Sequence, residues 1–254
     1  MVEHNFLDLS GRNYLVTGAA SGIGKAVSIL LSRFGATVFI LDIDLEGLVK
    51  TASECKNTTV KIHFDLLSEA SLLKEITSSI ASHGKLNGLV HCAGRPCIAP
   101  LKSLEKNIVL ETYLLNSYAG LALAKICSNH KIYSGKYGSF IFISSVYGYV
   151  GSAANVAYAM SKSALTGLVK SLAVELAPKR IRVNLIAPGF IKSPMLENIS
   201  PNFDDEYLNT VSRLHLLGLG EDTDVANAVL FLLSDMSSWI TGTELFVDGG
   251  YTAK

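Results

Sequence analysis

Charge is scarce in this 254-residue sequence and neither sign dominates: 17% of residues are charged, with 22 Lys and Arg against 22 Asp and Glu. No basic run is long enough to track a phosphate backbone, so no nucleic-acid partner is expected. Cysteine is equally sparse. The four thiols, Cys55, Cys92, Cys97 and Cys127, include no C-x-x-C pair. That leaves neither a disulfide framework nor a zinc ribbon, and predicts reduced, packed thiols and no metal site. The six prolines are too thinly spread for a Pro-rich linker, and no repeat or low-complexity segment divides the chain, so a single domain over 1–254 is expected. No apolar run approaches the roughly 18 residues of a membrane span. The first stretch, MVEHNFLDLSGRNYLV, lacks a basic region followed by an apolar one, so the expectation is a cytoplasmic protein with no membrane partner.

What fills the chain is hydrophobic residues, 49% of the total, enough for one large packed α/β core. Apolar runs and helical stretches alternate from end to end. β-rich runs stand at 13–18, 37–42, 59–65, 88–94, 138–145, 181–188 and 244–250. Helical patterns separate them, among them 22–35, a stretch capped by Ser68, a long one over 104–133, and an Ala-rich one from about Asn155 that Pro178 stops. Strands so uniformly apolar are covered on both faces, which predicts a parallel sheet between helix layers. Right-handed crossovers make it a doubly wound, seven-stranded α/β fold. The irregular piece, 189–221, lies beyond the C-terminal end of the sixth strand. Open α/β sheets bind ligands at that edge, so this piece is the expected substrate lid.

Between the first strand and the first helix runs TGAASGIG, Thr17 to Gly24. Gly18, Gly22 and Gly24 permit a tight turn, close backbone approach and close helix packing, with the N–H groups of the helix start facing a pyrophosphate. A phosphate loop of the G-x-x-x-x-G-K-[ST] type would need Gly at 19 and Ser or Thr at 26, and both positions are Ala. Asp42 ends the second strand, where a carboxylate accepts hydrogen bonds from a ribose and repels a 2′-phosphate. Ser21 and Ile43 carry no charge that would welcome that phosphate. NAD(H) is therefore expected over NADP(H). Asp65, at the end of the third strand, is placed to hydrogen-bond an adenine amino group.

Farther on, SVYGYVGSAANVAYAMSK places Ser145, Tyr158 and Lys162 in one stretch. Residues four apart on a helix share a face, so Tyr158 and Lys162 point into the same space. An unperturbed tyrosine at about 10 is a poor base, and a nearby cation is expected to lower it into use as an acid/base for an alcohol proton.

These motifs in order resemble the short-chain dehydrogenase/reductase family over essentially the whole chain. They include TGAASGIG, CAG at 92–94, Asn116, ISS at 143–145, YAMSK at 158–162, RVNLIAPGF at 182–190 and ITGTELFVDGG at 240–250. The resemblance implies a catalytic tetrad. Tyr158 would be the general acid/base, and Lys162 would hold the nicotinamide ribose. Ser145, rather than its neighbour Ser144, would bind the substrate oxygen, and Asn116 would hold a relay water. It also implies cofactor contacts from Gly18, Ser21, Gly22, Ile23, Gly24, Asp42, Asp65, Leu66, Cys92, Ala93 and Gly94. Pro188, Gly189, Ile191 and Ser193, the last where the family usually has Thr, would seat the nicotinamide.

Two departures stand out. His91-Cys92-Ala93-Gly94 replaces the usual Asn-Asn-Ala-Gly, and HLLGLG at 215–220 lacks the usual arginine, with Gly218 in its place. His91 reads as a packed strand-end histidine. Pocket walls at 95–100, 146–152 and the lid carry Ile98, Tyr147, Tyr149, Met195 and Leu196, which suits an apolar or amphipathic alcohol or ketone. The runner-up is a 3-oxoacyl-carrier-protein reductase, with Lys136 and Lys179 meeting an acidic carrier; such enzymes generally use NADPH, against which Asp42 argues. A non-catalytic dinucleotide-binding module would show a broken tetrad, and all four positions are filled. Small and apolar residues on the 104–133 and 156–177 helices, such as Ala119, Gly120, Ala164 and Gly167, together with family habit, predict a homotetramer.

Overall fold

The computed structural model describes residues 6–68, 71–193, 195 and 205–254. In chain order the first half comprises β1 (Asn13–Thr17), α1 (Gly22–Arg33), β2 (Thr37–Asp42), α2 (Leu45–Glu54), β3 (Thr59–His63), α3 (Leu72–Ile80) and β4 (Gly88–His91). Next come α4 (Lys106–Tyr113), α5 (Ala119–Cys127), β5 (Gly138–Ile143), α6 (Val156–Leu176), β6 (Ile181–Pro188) and β7 (Ile191–Lys192). The chain closes with α7 (Asp205–Leu214), β8 (Gly220–Glu221), α8 (Asp222–Leu233) and β9 (Glu244–Val247). Seven strands form one sheet in the order β3-β2-β1-β4-β5-β6-β9, and every pairing in it is parallel. The expected doubly wound fold is the one observed; β2 and β6 match their expected bounds, and the other five strands of the sheet end slightly earlier than their apolar runs.

The strands are apolar throughout because successive side chains enter two different cores. On β1, Leu15 joins one cluster with Phe39, Phe140 and Leu165, while Tyr14 and Val16 join the other with Val27, Ile141 and Val229. The first cluster is closed by α3, α5 and α6, and the second by α1, α2 and α8. Strand order reverses between β1 and β4, which opens a crevice at their C-terminal ends. The chain approaches itself closely there: a Cβ on Gly18, whose φ is +65°, would lie 2.8 Å from the Ala93 nitrogen.

Three details differ from the sequence expectation. The long helix over 104–133 is instead α4, a π-helical turn at Leu114–Tyr118 and α5, which ends at Cys127. A two-stranded β7–β8 ladder pins Ile191 to Gly220 and Lys192 to Glu221. Ala119 and Gly120 turn inward: Ala119 is buried, and a Cβ on Gly120 would meet His91 and Phe142. Gly167 does face open space. Ser68 closes a turn on the Asp65 carbonyl, and Ser71 stands at the start of α3; residues 69–70 between them lie outside the described residues.

Candidate active site

The cofactor half of the crevice is built on the start of α1. Ser21 occupies the N-cap without a side-chain cap bond, and no acidic residue stands in the first turn. The helix therefore presents unneutralised N–H groups and the positive end of its dipole to the crevice. Gly24 lets the helix close on the turn: a Cβ there would lie 2.1 Å from the Gly18 carbonyl oxygen. Ser21, Gly22, Ile23 and Gly24 line this cleft, as do Asp42, Asp65 and Leu66 across it, and Gly18, Cys92, Ala93 and Gly94 along its floor. The Asp42 carboxylate is fixed, with Oδ2 accepting from the Ala20 N–H (3.0 Å) and Oδ1 from the Asp44 N–H (3.0 Å). Asp65 Oδ1 accepts from the Leu67 N–H at 2.9 Å. A cradle without room for side chains, a bare helix start and an anchored carboxylate fit an extended dinucleotide.

The floor depends on the His91-Cys92 departure. Thr17 Oγ1 accepts from the Ala93 N–H at 3.1 Å and lies 3.0 Å from His91 Nδ1. The far side of the ring sets the tautomer: Nε2 faces a carbonyl, which can only accept, so the ring proton is on Nε2 and the Thr17 hydroxyl donates to Nδ1. Nε2 faces the Leu115 carbonyl of the π-helical turn but falls short of a full hydrogen bond. Burial first, and then the Lys162 charge, push this imidazole down to about 3. The ring is thus a neutral packed tie between β1 and β4, as its strand-end position suggested.

The second half of the crevice holds the tetrad positions. Ser145 caps the short turn Val146–Gly148, accepting from the Tyr147 N–H at 3.2 Å, and its hydroxyl faces the Tyr158 phenol. Ser144 does other work: it is buried and donates to the Lys162 carbonyl at 3.0 Å. Tyr158 and Lys162 lie one turn apart on α6, with Lys162 Nζ 5.7 Å from the phenol ring centre. Nζ is buried and donates to the Ile143 carbonyl at 2.9 Å. The expected lowering of the phenol by the ammonium is not realised. Burial pushes Tyr158 up to about 12, opposed by the nearby Ser145 hydroxyl, and burial pulls Lys162 down to about 8. Both groups are desolvated, and desolvation outweighs a charge held against a carbonyl more than a hydrogen bond away.

Asn116 sits in the π-helical turn, fully buried. Its Nδ2 donates to the Arg95 carbonyl (3.0 Å) and to Ser161 Oγ (2.9 Å), and its Oδ1 accepts from the Arg95 N–H (2.9 Å). One amide proton is therefore committed to the loop after Gly94 and the other to α6. A Cβ on Gly94 would lie 3.0 Å from Asn116 Oδ1 and 3.3 Å from Lys162 Nζ, so the three meet at one point.

Ser145, Tyr158, Lys162, Pro188, Gly189 and Ile191 line one hollow. Ile23, Cys92, Gly94, Ser193 and Met195 border both this hollow and the cofactor cleft, which makes the two continuous. Of the expected wall residues, Ile98, Tyr147 and Met195 are present. Tyr149 is not: its hydroxyl pairs with Thr166 at 2.9 Å and its ring packs on Phe246. Leu196 lies outside the described residues. Asn155 and Phe190 also line the hollow and escaped the sequence reading; Phe190 directly follows the Pro188-Gly189 turn, which was the available signal. Among the described residues no cluster of metal ligands occurs, and all four cysteines are free thiols. Burial holds Cys92 and Cys127 up at about 12. No helix among the described residues is long and apolar enough to cross a membrane.

Comparison with known proteins agrees with this geometry. A family model described as enoyl-(acyl carrier protein) reductase matches residues 18–252. A 3-oxoacyl-[acyl-carrier-protein] reductase FabG of Thermotoga maritima is 34% identical over 245 residues, covering 95% of this chain and 98% of that protein. A cyclopentanol dehydrogenase of Comamonas is 34% identical over 251 residues, covering 94% and 96%. A solved 7α-hydroxysteroid dehydrogenase in complex with NADH and 7-oxo glycochenodeoxycholic acid superposes with a TM-score of 0.90 at 30% identity, covering 98% of both chains. With a family match over residues 18–252 and relatives 34% identical over nearly the whole chain, the chain belongs to the short-chain dehydrogenases/reductases and is an oxidoreductase acting on CH–OH groups.

Proposed function

We propose that this enzyme transfers a hydride between NAD(H) and a secondary alcohol or its ketone, with Tyr158 as the proton carrier. One observation carries the reading: Ser145 and Tyr158 face the same hollow beside the buried Lys162 ammonium, where the dinucleotide cleft opens into it. The cofactor, when bound, supplies or accepts the hydride. The chain does the rest. Ser145 and Tyr158 converge on one oxygen, so a carbonyl placed there gains two donors as negative charge develops on it. A phenol held at about 12 stays protonated at neutral pH and is ready to donate in the reducing direction. Lys162 is the cation nearest that proton and reaches toward the ribose position. Asn116 fixes the Gly94–Arg95 loop against it. Pro188, Gly189, Ile191 and Ser193 close the nicotinamide end.

The preference for NAD(H) rests on Asp42. Two backbone N–H groups hold its carboxylate at the cleft wall, where it would repel a 2′-phosphate, with Ser21 and Ile43 offering no countercharge. The 189–221 segment is the substrate lid in this reading, of which 194 and 196–204 lie outside the described residues. Four free thiols suit the cytoplasm, and solvent-facing apolar helix faces suit a homotetramer.

A second reading, 3-oxoacyl-carrier-protein reduction, is favoured by Lys136 and Lys179. Both are exposed, and among the described residues neither pairs with a carboxylate: Lys136 Nζ lies 5.7 Å from the Tyr137 ring centre and Lys179 donates to the Ser128 carbonyl.

A panel of secondary alcohols, their ketones and a 3-oxoacyl thioester, run with both cofactors, tests the two readings together. The expected result is turnover of apolar alcohols with NAD, and a Tyr158→Phe variant that binds NADH normally but is slower by about a thousandfold or more. Near-normal turnover in that variant would sink the role of Tyr158. Preferential use of NADPH with the thioester would move the assignment to the second reading.

A further inference from the structure

The departure at 215–220 puts an imidazole at the junction of three segments. His215, at the exit of α7, is 3% exposed. Its Nδ1 lies 2.7 Å from the Val211 carbonyl, and its Nε2 lies 3.0 Å from the Phe190 backbone nitrogen. A carbonyl can only accept and an N–H can only donate. The ring is therefore the neutral tautomer with its proton on Nδ1, donating to Val211 and accepting from Phe190. Tyr251 of the C-terminal tail lies alongside the ring at 4.7 Å between centroids, and Phe190 meets it edge-on at 5.6 Å. Space around this contact is fully used: a Cβ on Gly189 would lie 2.7 Å from His215 Nε2.

Phe190 is the residue through which this junction reaches the site. Its N–H has His215 as partner, and its carbonyl accepts from the Gly220 N–H at 3.0 Å. Its ring packs edge-on against Tyr147 at 5.6 Å, and Phe190 lines the hollow beside Pro188, Gly189 and Ile191. Without an acceptor at Nε2, the Phe190 N–H would lie against the ring with nothing to bond, and the Pro188–Ile191 turn would lose its tie to α7. Gly218, at φ +81°, makes the return possible: its N–H closes on the His215 carbonyl, while Leu217 N–H donates to the Gly249 carbonyl of the tail.

We propose that His215 is a positioning residue for the reaction: its Nε2 lone pair holds Phe190, and through it the Pro188–Ile191 wall, in the geometry that receives the nicotinamide. This rests on the hydride-transfer reading for the identity of what the wall receives.

Two amide substitutions in the full-length enzyme separate the ring's two bonds. His215→Gln carries an oxygen to the place of Nε2 and keeps the acceptor for Phe190. His215→Asn carries an NH2 to the place of Nδ1, keeping the donor to Val211 and leaving Phe190 N–H without a partner. NADH affinity by fluorescence titration, KM for NAD, kcat and the unfolding temperature are measured for both. The Gln variant is expected within about threefold of the parent in affinity and KM. The Asn variant should bind NADH about tenfold more weakly and show a matching rise in KM, with kcat changed less. His215→Met, which fills the space with neither group, should weaken binding as Asn does, and serves if the Asn protein does not fold. Equal NADH affinity across the Gln, Asn and Met proteins overturns the assignment, as does a loss that follows the unfolding temperature irrespective of the substituent. A parent enzyme that binds NADH yet oxidises no alcohol would sink the hydride-transfer reading alone, since the contrast in NADH affinity is read independently of turnover.

Discussion

Lys162 is sealed beneath the crevice with a backbone carbonyl as its hydrogen-bond partner. Burial lowers its folded-state value to about 8 from the 10.5 of a free lysine. Between those two values the folded chain binds fewer protons than the unfolded one, so the Lys162 contribution makes the fold more stable as pH rises from 8 toward 10.5 and least stable below pH 8. Tyr158 acts in the opposite sense at higher pH. Its folded value of about 12 lies above the free value of 10.0, so its contribution is complete below pH 10 and is lost as pH climbs through 12. Lys162→Met should therefore stabilise the protein at pH 7 by on the order of 3 kcal/mol, while abolishing turnover. It should also flatten the rise in stability between pH 8 and 10. Urea unfolding at several pH values checks this; a methionine variant less stable than the parent at pH 7 would show that the ammonium is better solvated than its burial indicates.

At the scale of elements, the first helix is set against its own entry turn with no space to spare. Gly24→Ala would bring a methyl within 2.1 Å of the Gly18 carbonyl oxygen and 2.6 Å of its carbon, both backbone atoms that cannot swing aside. The helix must then withdraw from the turn. The expected result is at least a tenfold loss of NADH affinity, read by titration, with a stability loss of about 1–3 kcal/mol. The glycines were legible in sequence because their need is local. The strands were legible for a related reason: Phe140 and Ile141 are both apolar because each faces its own core. The Tyr158–Lys162 pair was legible because helical spacing alone puts it on one face. The π-helical turn around Asn116 was not, since one extra residue in a turn leaves no trace in an apolar pattern. Nor was the rise of the phenol to about 12, which depends on how deeply α6 is set. Tyr149 misled because a loop residue carries no periodicity to say which way it faces; His215 drew no reading because Phe190 and the tail, which it ties to α7, lie far off in sequence.

The whole molecule leaves apolar surface uncovered in two places. Leu110, Tyr113, Leu114, Tyr118 and Leu121 recur at helical spacing along α4, the π-helical turn and α5, and all are exposed, as are Val156 and Met160 on α6. Near the β9 end of the molecule, Trp239 is 99% exposed and Val174, at the end of α6, 79%, while Met236 and Phe246 are exposed to a lesser degree. Apolar stripes of this extent on a protein of zero net charge are suited to burial between copies. Light scattering at micromolar concentration should give a mass near four times the 27.2 kDa chain, and a monomer would refute it. Leu114→Glu combined with Met160→Glu should lower that mass at least by half while NADH binding persists.

The sheet order also sets a schedule for biosynthesis. A nascent chain emerging from the ribosome has delivered the glycine turn, Asp42, Asp65 and the Cys92–Gly94 floor well before its midpoint. The clamp on Phe190 arrives only with His215 and Tyr251, long after those residues in the chain. A polypeptide released before His215 is made would thus carry the nucleotide-facing residues while Phe190 lacks both its imidazole acceptor and the tail ring packed near it.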